Sequence, residues 1–165
     1  MDNARPTKDR QLTEHFTLFE LTKTTMDRYQ AENRVITDAQ IVKAVELARL
    51  LEHVRHVLNE PLIVSSGYRC KGLNKAVGST DASQHILFEA ADIVPANMPV
   101  PEAFRLLSFD IRNKGTNVGQ LIEETAARPY GVTSWIHISL GLPYRSKDRN
   151  RQVLRMKDGK FELLA

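Results

Sequence analysis

The sequence predicts a small α+β domain on three observations: helix-capping signals in its first half, short apolar strands in its second, and a hairpin turn near its C-terminus. The chain has 165 residues, one domain's worth, and its 42% hydrophobic content suits a fold with a real core. A polar arm of mixed charge occupies 1–15, and the folded domain is expected over 16–165. Thr17 followed by Glu20 forms a capping box that opens a short helix, with Phe16, Phe19 and Leu21 as apolar anchors. Thr37 and Gln40 form a second box. It opens the clearest helix of the chain, which runs to about Leu58 with Ala44, Leu47, Leu51, Val54 and Leu58 on one face.

Asn59, Glu60 and Pro61 end that helix, and Leu62 to Val64 form a short buried strand leading into Ser65-Ser66-Gly67. Lys71 to Val77 form a brief helix closed by Gly78. Ala90 to Val94 form a strand stopped by Pro95. Pro99 and Pro101 then lead into a helix reaching about Asn113, with Gly115 as its stop. Three strands follow, at Gly119 to Glu123 or Glu124, Ser134 to Leu140, and Gln152 to Met156. Asp158-Gly159 suits the positive φ of a two-residue hairpin, so Phe161 to Leu164 should pair with the preceding strand. The expected architecture is N-terminal helices packed on a mainly antiparallel sheet.

Composition narrows the function classes. Cys70 is the only cysteine, which excludes an internal disulfide and a thiolate-rich zinc site, so a metal here must be held by His and carboxylates. No apolar run approaches the roughly 20 residues of a membrane helix. Met1 to Glu14 carry no apolar stretch of the secretory kind, so synthesis in the cytoplasm without a signal peptide is expected. The charge of +3 gathers late, in Arg145, Lys147, Arg149, Arg151, Arg155, Lys157 and Lys160. Such a run reads as a solvated face or as attraction to an anionic polymer. No aromatic side chains interleave with it to stack on bases, which argues against nucleic acid.

The chemistry centres on two segments. His85 and Asp92 stand seven residues apart. A continuous helix would separate them by about 10 Å of rise and a strand by about 23 Å, both too far for bonds of about 2 Å to one ion. They can share a metal if His85 ends a loop and the chain doubles back before Asp92. Ser79, Thr80, Asp81 and Ser83 supply loop character, and Ala90-Ala91 give a small-residue approach. The spacing permits a site without demanding one. In Trp135-Ile136-His137-Ile138-Ser139, alternation puts Trp135, His137 and Ser139 on one face of a strand and the isoleucines on the other. His137 then reads either as a third ligand lining a groove or as a solvent-facing strand residue. His53 and His56 lack the i, i+4 spacing of a helical zinc pair and read as surface residues, and His15 reads as a loop residue.

The succession Ser66-Gly67-Tyr68-Arg69, Leu73-Asn74, Val77-Gly78, Ser83-Gln84-His85, Glu89-Ala90-Ala91-Asp92 and Trp135-Ile136-His137-Ile138-Ser139 resembles the zinc D-alanyl-D-alanine carboxypeptidase family of peptidoglycan peptidases and phage endolysins. The likeness is to its phage-type branch, which also shows an opening like Phe16-Thr17-Leu18-Phe19-Glu20-Leu21 and a strand like Gln120-Leu121-Ile122. It spans about Phe16 to Leu140.

That resemblance implies a Hedgehog/D-Ala-D-Ala peptidase-like fold, with Zn2+ held by His85, Asp92 and His137 and a fourth position left for water. Arg69 matches the family's arginine, placed to hold a substrate carboxylate or carbonyl oxygen and the developing oxyanion. Ser83 is expected to orient substrate or His85, and Trp135 to line the substrate groove. Related branches carry an acidic residue three positions before the last His, where Ser134 stands here. The phage-type branch uses a carboxylate at the end of the neighbouring strand, which maps to Glu124, with Glu123 adjacent. Strand alternation sends those two to opposite faces, so one alone can serve as general base.

Two positions depart from the family pattern. Phe88 stands where Gly is usual, so a positive φ there would be strained, or the ring would narrow the groove. Cys70 replaces a more usual Ser. The resemblance implies a monomeric peptidase acting on peptidoglycan peptides at the bacterial cell wall. The competing expectation is a non-catalytic wall-binding or virion module whose groove Phe88 blocks.

Overall fold

The computed structural model describes residues 5–6, 9–146, 150–157 and 159–164. Lys147, Arg149 and Asp158, and residues 1–4 and 7–8 of the N-terminal arm, lie outside the described residues. The elements are β1 (Arg5–Pro6), α1 (Leu18–Thr22), α2 (Asp27–Asn33), β2 (Val35–Ile36), α3 (Asp38–Leu58), β3 (Leu62–Ser66), α4 (Lys71–Ala76), a 3-10 turn (Gln84–Leu87), β4 (Ala90–Pro95), α5 (Val100–Lys114), β5 (Val118–Arg128), β6 (Gly131–Leu140), β7 (Gln152–Lys157) and β8 (Lys160–Leu163). The class is α+β, as expected. A six-stranded sheet runs in the order β3-β4-β6-β5-β7-β8, and β1 pairs with β2 in a separate ribbon. Part of the arm is therefore a strand, with Arg5 opposite Ile36. By contacts the chain forms two compact units, Met1–Glu52 with Val64–Ala91, and His53–Ile63 with Asp92–Ala165.

In the first unit both capping boxes form as the sequence spells them. Thr17 accepts from the Glu20 N–H while the Glu20 carboxylate accepts from the Thr17 N–H. Thr37 and Gln40 exchange the same pair of bonds ahead of α3. Phe16, Leu18, Leu21, Leu47, Leu51 and Phe88 are at most 1% exposed and form the unit's core. Helix α2 was not expected: its sequence is polar and its N-cap residue Met26 makes no side-chain hydrogen bond. Its anchor is buried Asn33, whose amide donates to the carbonyls of Thr22 and Tyr68 at 2.7 and 2.9 Å and accepts from the Cys70 N–H. Cys70 itself caps α4, its sulfur accepting from the Leu73 N–H. Gly67 lies so close to α1 that a Cβ would stand 2.3 Å from the Leu21 carbonyl oxygen.

In the second unit β5 and β6 form a long antiparallel hairpin closed between Arg128 and Gly131. It extends beyond the strand ends expected from sequence, because Thr125 to Arg128 and Gly131 to Thr133 continue the pairing outward. The other edge of β5 pairs in parallel with β7, and β7 pairs antiparallel with β8. The sheet is thus mixed and mostly antiparallel, with the last two strands paired as expected. Helix α5 packs on β5 and β6. The Arg155 guanidinium lies over the Phe104 ring, 6.0 Å from its centroid, and Arg155 stands opposite Glu123 in register. Helix α5 therefore covers the sheet face that carries Glu123. Side chains paired directly across strands share a face, so Ile122, Glu124, Trp135 and His137 occupy the opposite one.

Candidate metal centre

His85 sits in a 3-10 turn that resolves its spacing problem. Ser83 caps the turn by accepting from the His85 N–H at 3.3 Å, and the chain reverses at Phe88, where φ is 61° and ψ 34°. The Phe88 and Glu89 N–H groups close the turn on the carbonyls of His85 and Gln84. The chain thus doubles back before Asp92 on β4, which is the condition the spacing set. The His85 ring is 3% exposed, and its Nδ1 lies 2.6 Å from the Gly67 carbonyl oxygen. A carbonyl can only accept, so Nδ1 carries the proton and Nε2 presents its lone pair for a metal. Sequence reading missed this carbonyl because backbone acceptors carry no residue signature.

Asp92 and His137 are both 8% exposed, and His137 Nδ1 lies 3.0 Å from Asp92 Oδ1. The solvent-facing alternative for His137 is thereby excluded. Ser139, on the same strand, is fully buried, and its hydroxyl accepts from the Gln120 N–H at the irregularity in the β5–β6 register. The backbone of β6 beside His137 is thus tied to β5 by a side chain as well as by the ladder.

His85, Asp92 and His137 each offer a ligand atom, and the three atoms lie within 4.8 Å of one another. Two imidazoles and a carboxylate without thiolate form the donor set that zinc takes in catalytic sites. Burial of three such polar groups together is costly unless something satisfies them, and a divalent cation does so. The residues present therefore fit zinc, which would replace the proton that Asp92 and His137 share.

Around the triad, Arg69 is half-buried. Its backbone N–H donates to the His85 carbonyl at 3.2 Å and its Nε donates to Ser66 at 2.9 Å. Trp135 and Glu124 are half-buried and stand directly opposite each other on the His137 face of the hairpin. Glu123 is 6% exposed on the other face, where its carboxylate accepts from Arg155 Nε at 2.6 Å. The alternation expected for the two glutamates is present, and Arg155 occupies Glu123.

Phe88 meets one of its two expectations and corrects the other. Its φ is positive, the conformation expected of a place where the family pattern has Gly, yet its ring is fully buried and stacks on Tyr68 with centroids 5.0 Å apart. The ring fills core rather than open groove. Cys70 is buried, which pushes its thiol pKa up and suits a neutral cap. Among the remaining histidines, His56 is exposed and His15 lies in a bend, bonded to Glu52. His53 is less superficial than expected: its Nε2 lies 2.8 Å from the carboxylate of buried Asp110.

An α+β fold that brings two buried imidazoles and a buried carboxylate within reach of one ion has the donor set of a metalloenzyme. The family model described as Peptidase M15 matches residues 14–139, about the span of the ordered motifs, and the chain belongs to that family of metallopeptidases of the zinc D-Ala-D-Ala carboxypeptidase type. No curated protein matches the chain.

Proposed function

We propose that the protein is a zinc-dependent peptidase that hydrolyses peptide bonds in the stem peptides or cross-links of bacterial peptidoglycan, acting as a monomer at the cell wall in the manner of a phage endolysin. The observation that carries this reading is the buried His85, Asp92 and His137 donor set within 4.8 Å. When bound, zinc supplies a Lewis acid that lowers the pKa of water toward neutrality and polarises a carbonyl. Glu124, on the His137 face of the hairpin, takes the proton from the attacking water and delivers it to the leaving amine. Arg69, whose Nε donates to Ser66, contacts a substrate carboxylate or the developing oxyanion through its guanidinium. Ser83 orients His85 through its cap, and Trp135 forms a wall for the peptide.

The non-catalytic alternative depended on Phe88 obstructing the groove, and the burial of its ring against Tyr68 supports the enzyme instead. Metal analysis combined with mass spectrometry of digested peptidoglycan tests the proposal. The expected result is about one zinc per chain and newly cleaved stem or cross-bridge bonds, both lost in His137→Ala. Zinc with no cleavage of any stem bond would sink the peptidase reading, and absence of zinc would sink the metal site.

A further inference from the structure

Helix α5 carries a second feature that the peptidase site does not use. Pro101, Arg105, Phe109 and Arg112 recur at helical spacing along one exposed stripe, and they border a concavity of about 490 Å³. Phe104 and Leu164 contribute to its lining, so the concavity is apolar between cationic margins. Phe109 is 62% exposed midway between the two arginines.

The polar groups sort themselves in a telling way. Ser108 spends its hydroxyl proton on the Phe104 carbonyl, and Asn113 donates its amide to the Phe109 carbonyl. Arg155 is engaged by Glu123 and faces Glu162 across the β7–β8 ladder. Among the described residues Arg105 meets no carboxylate, and Arg112 donates only to the Leu164 carbonyl. A ligand suited to this surface must bring anionic acceptors and apolar area together. A sugar or polyol, which needs donors and acceptors interleaved, finds few free partners here. A bare polyanion would leave Phe109 and the apolar floor in water.

We propose that this face of α5 docks the protein on an anionic phospholipid surface, with Arg105 and Arg112 on lipid phosphates and Phe109 inserted among the acyl chains near the headgroups. The two arginine positions are separated by about 10 Å along the axis, at 1.5 Å per residue, so each can take a separate headgroup. A short amphipathic surface with aromatic and basic side chains binds at a bilayer interface in this way, and no helix of the described residues is long and apolar enough to cross one.

Sedimentation of the full chain with vesicles tests the idea, comparing phosphatidylcholine alone with phosphatidylcholine containing phosphatidylglycerol. Binding is expected only to the anionic vesicles, weakening as salt rises. Each of Arg105→Gln and Arg112→Gln should weaken it about fivefold, and Phe109→Ser should weaken it at fixed charge. Circular dichroism shows whether each variant is folded. Failure to bind anionic vesicles would overturn the proposal. So would binding unchanged in folded Phe109→Ser and matched by soluble polyglutamate, because both would mark a simple polyanion site. The result is independent of the peptidase reading, which is measured by product analysis.

Discussion

A single side chain, Phe88, sets two effects against each other. Left-handed backbone costs a non-glycine residue about 1–2 kcal/mol. Against this, removing a buried phenyl ring costs about 3–5 kcal/mol in lost transfer and cavity formation, and the Tyr68 stack adds to it. Packing wins, so Phe88→Gly should lower stability by roughly 2 kcal/mol; a urea midpoint raised by the substitution would show that strain dominates. The two adjacent glutamates are separated by a similar weighing. Glu124→Gln should reduce kcat on peptidoglycan by about 10²–10⁴ with zinc content unchanged. Glu123→Gln removes the acceptor for Arg155 on the opposite face and should cost stability more than turnover. The reverse pattern of rate constants would move the base to Glu123.

At the level of elements, α3, α5 and the loop leading into β5 are joined by a buried carboxylate. Asp110 on α5 is 2% exposed, and its oxygens meet His53 of α3 at 2.8 Å, Thr116 at 2.5 Å and Lys114 at 3.4 Å. Burial alone would raise the Asp110 pKa, but the hydrogen bonds from His53, Thr116 and Lys114, with the charge of His53, outweigh it and hold the carboxyl below its usual 3.8. A depressed carboxylate contributes stability above its unfolded pKa and loses it as pH falls through the folded one. Asp110→Asn should therefore cost about 2 kcal/mol near neutrality, with the gap to the unmodified protein closing as pH drops below 3.8. A gap constant from pH 7 to pH 3 in denaturant titrations would remove Asp110 from this role.

For the molecule as a whole, the legible parts are those whose physics is local. The capping boxes, the apolar face of α3, the proline entry and glycine exit of α5, and the alternation of β6 all follow from neighbours a few residues apart. Helix α2 escaped because its stabilising bonds come from Asn33 to distant carbonyls. The metal ligands were legible as residue types, but their convergence depended on a backbone reversal at Phe88 and a carbonyl at Gly67 that spacing alone does not encode. The parallel pairing of β7 with β5 was equally hidden, since strand patterns do not specify which edge a later strand will choose. Strand β7 lies beyond the family-matched residues 14–139 and covers the edge of the strand bearing Glu124. Ending the chain after Gly141 should bare that edge. The expected outcome is a lower melting temperature and concentration-dependent aggregation in light scattering, whereas a monodisperse fragment of unchanged stability would show that β7 is dispensable.

The same strand arrangement imposes an order in time. The β5–β6 hairpin closes through a two-residue turn, but β7 reaches β5 only across a separation of 32 residues, from Gln120 to Gln152. Loop closure of that length must be met before any ladder bond rewards it, so the hairpin can form early and the β7 pairing late. The face bearing Glu124, Trp135 and His137 is therefore formed by the hairpin before β7 seals its neighbouring edge.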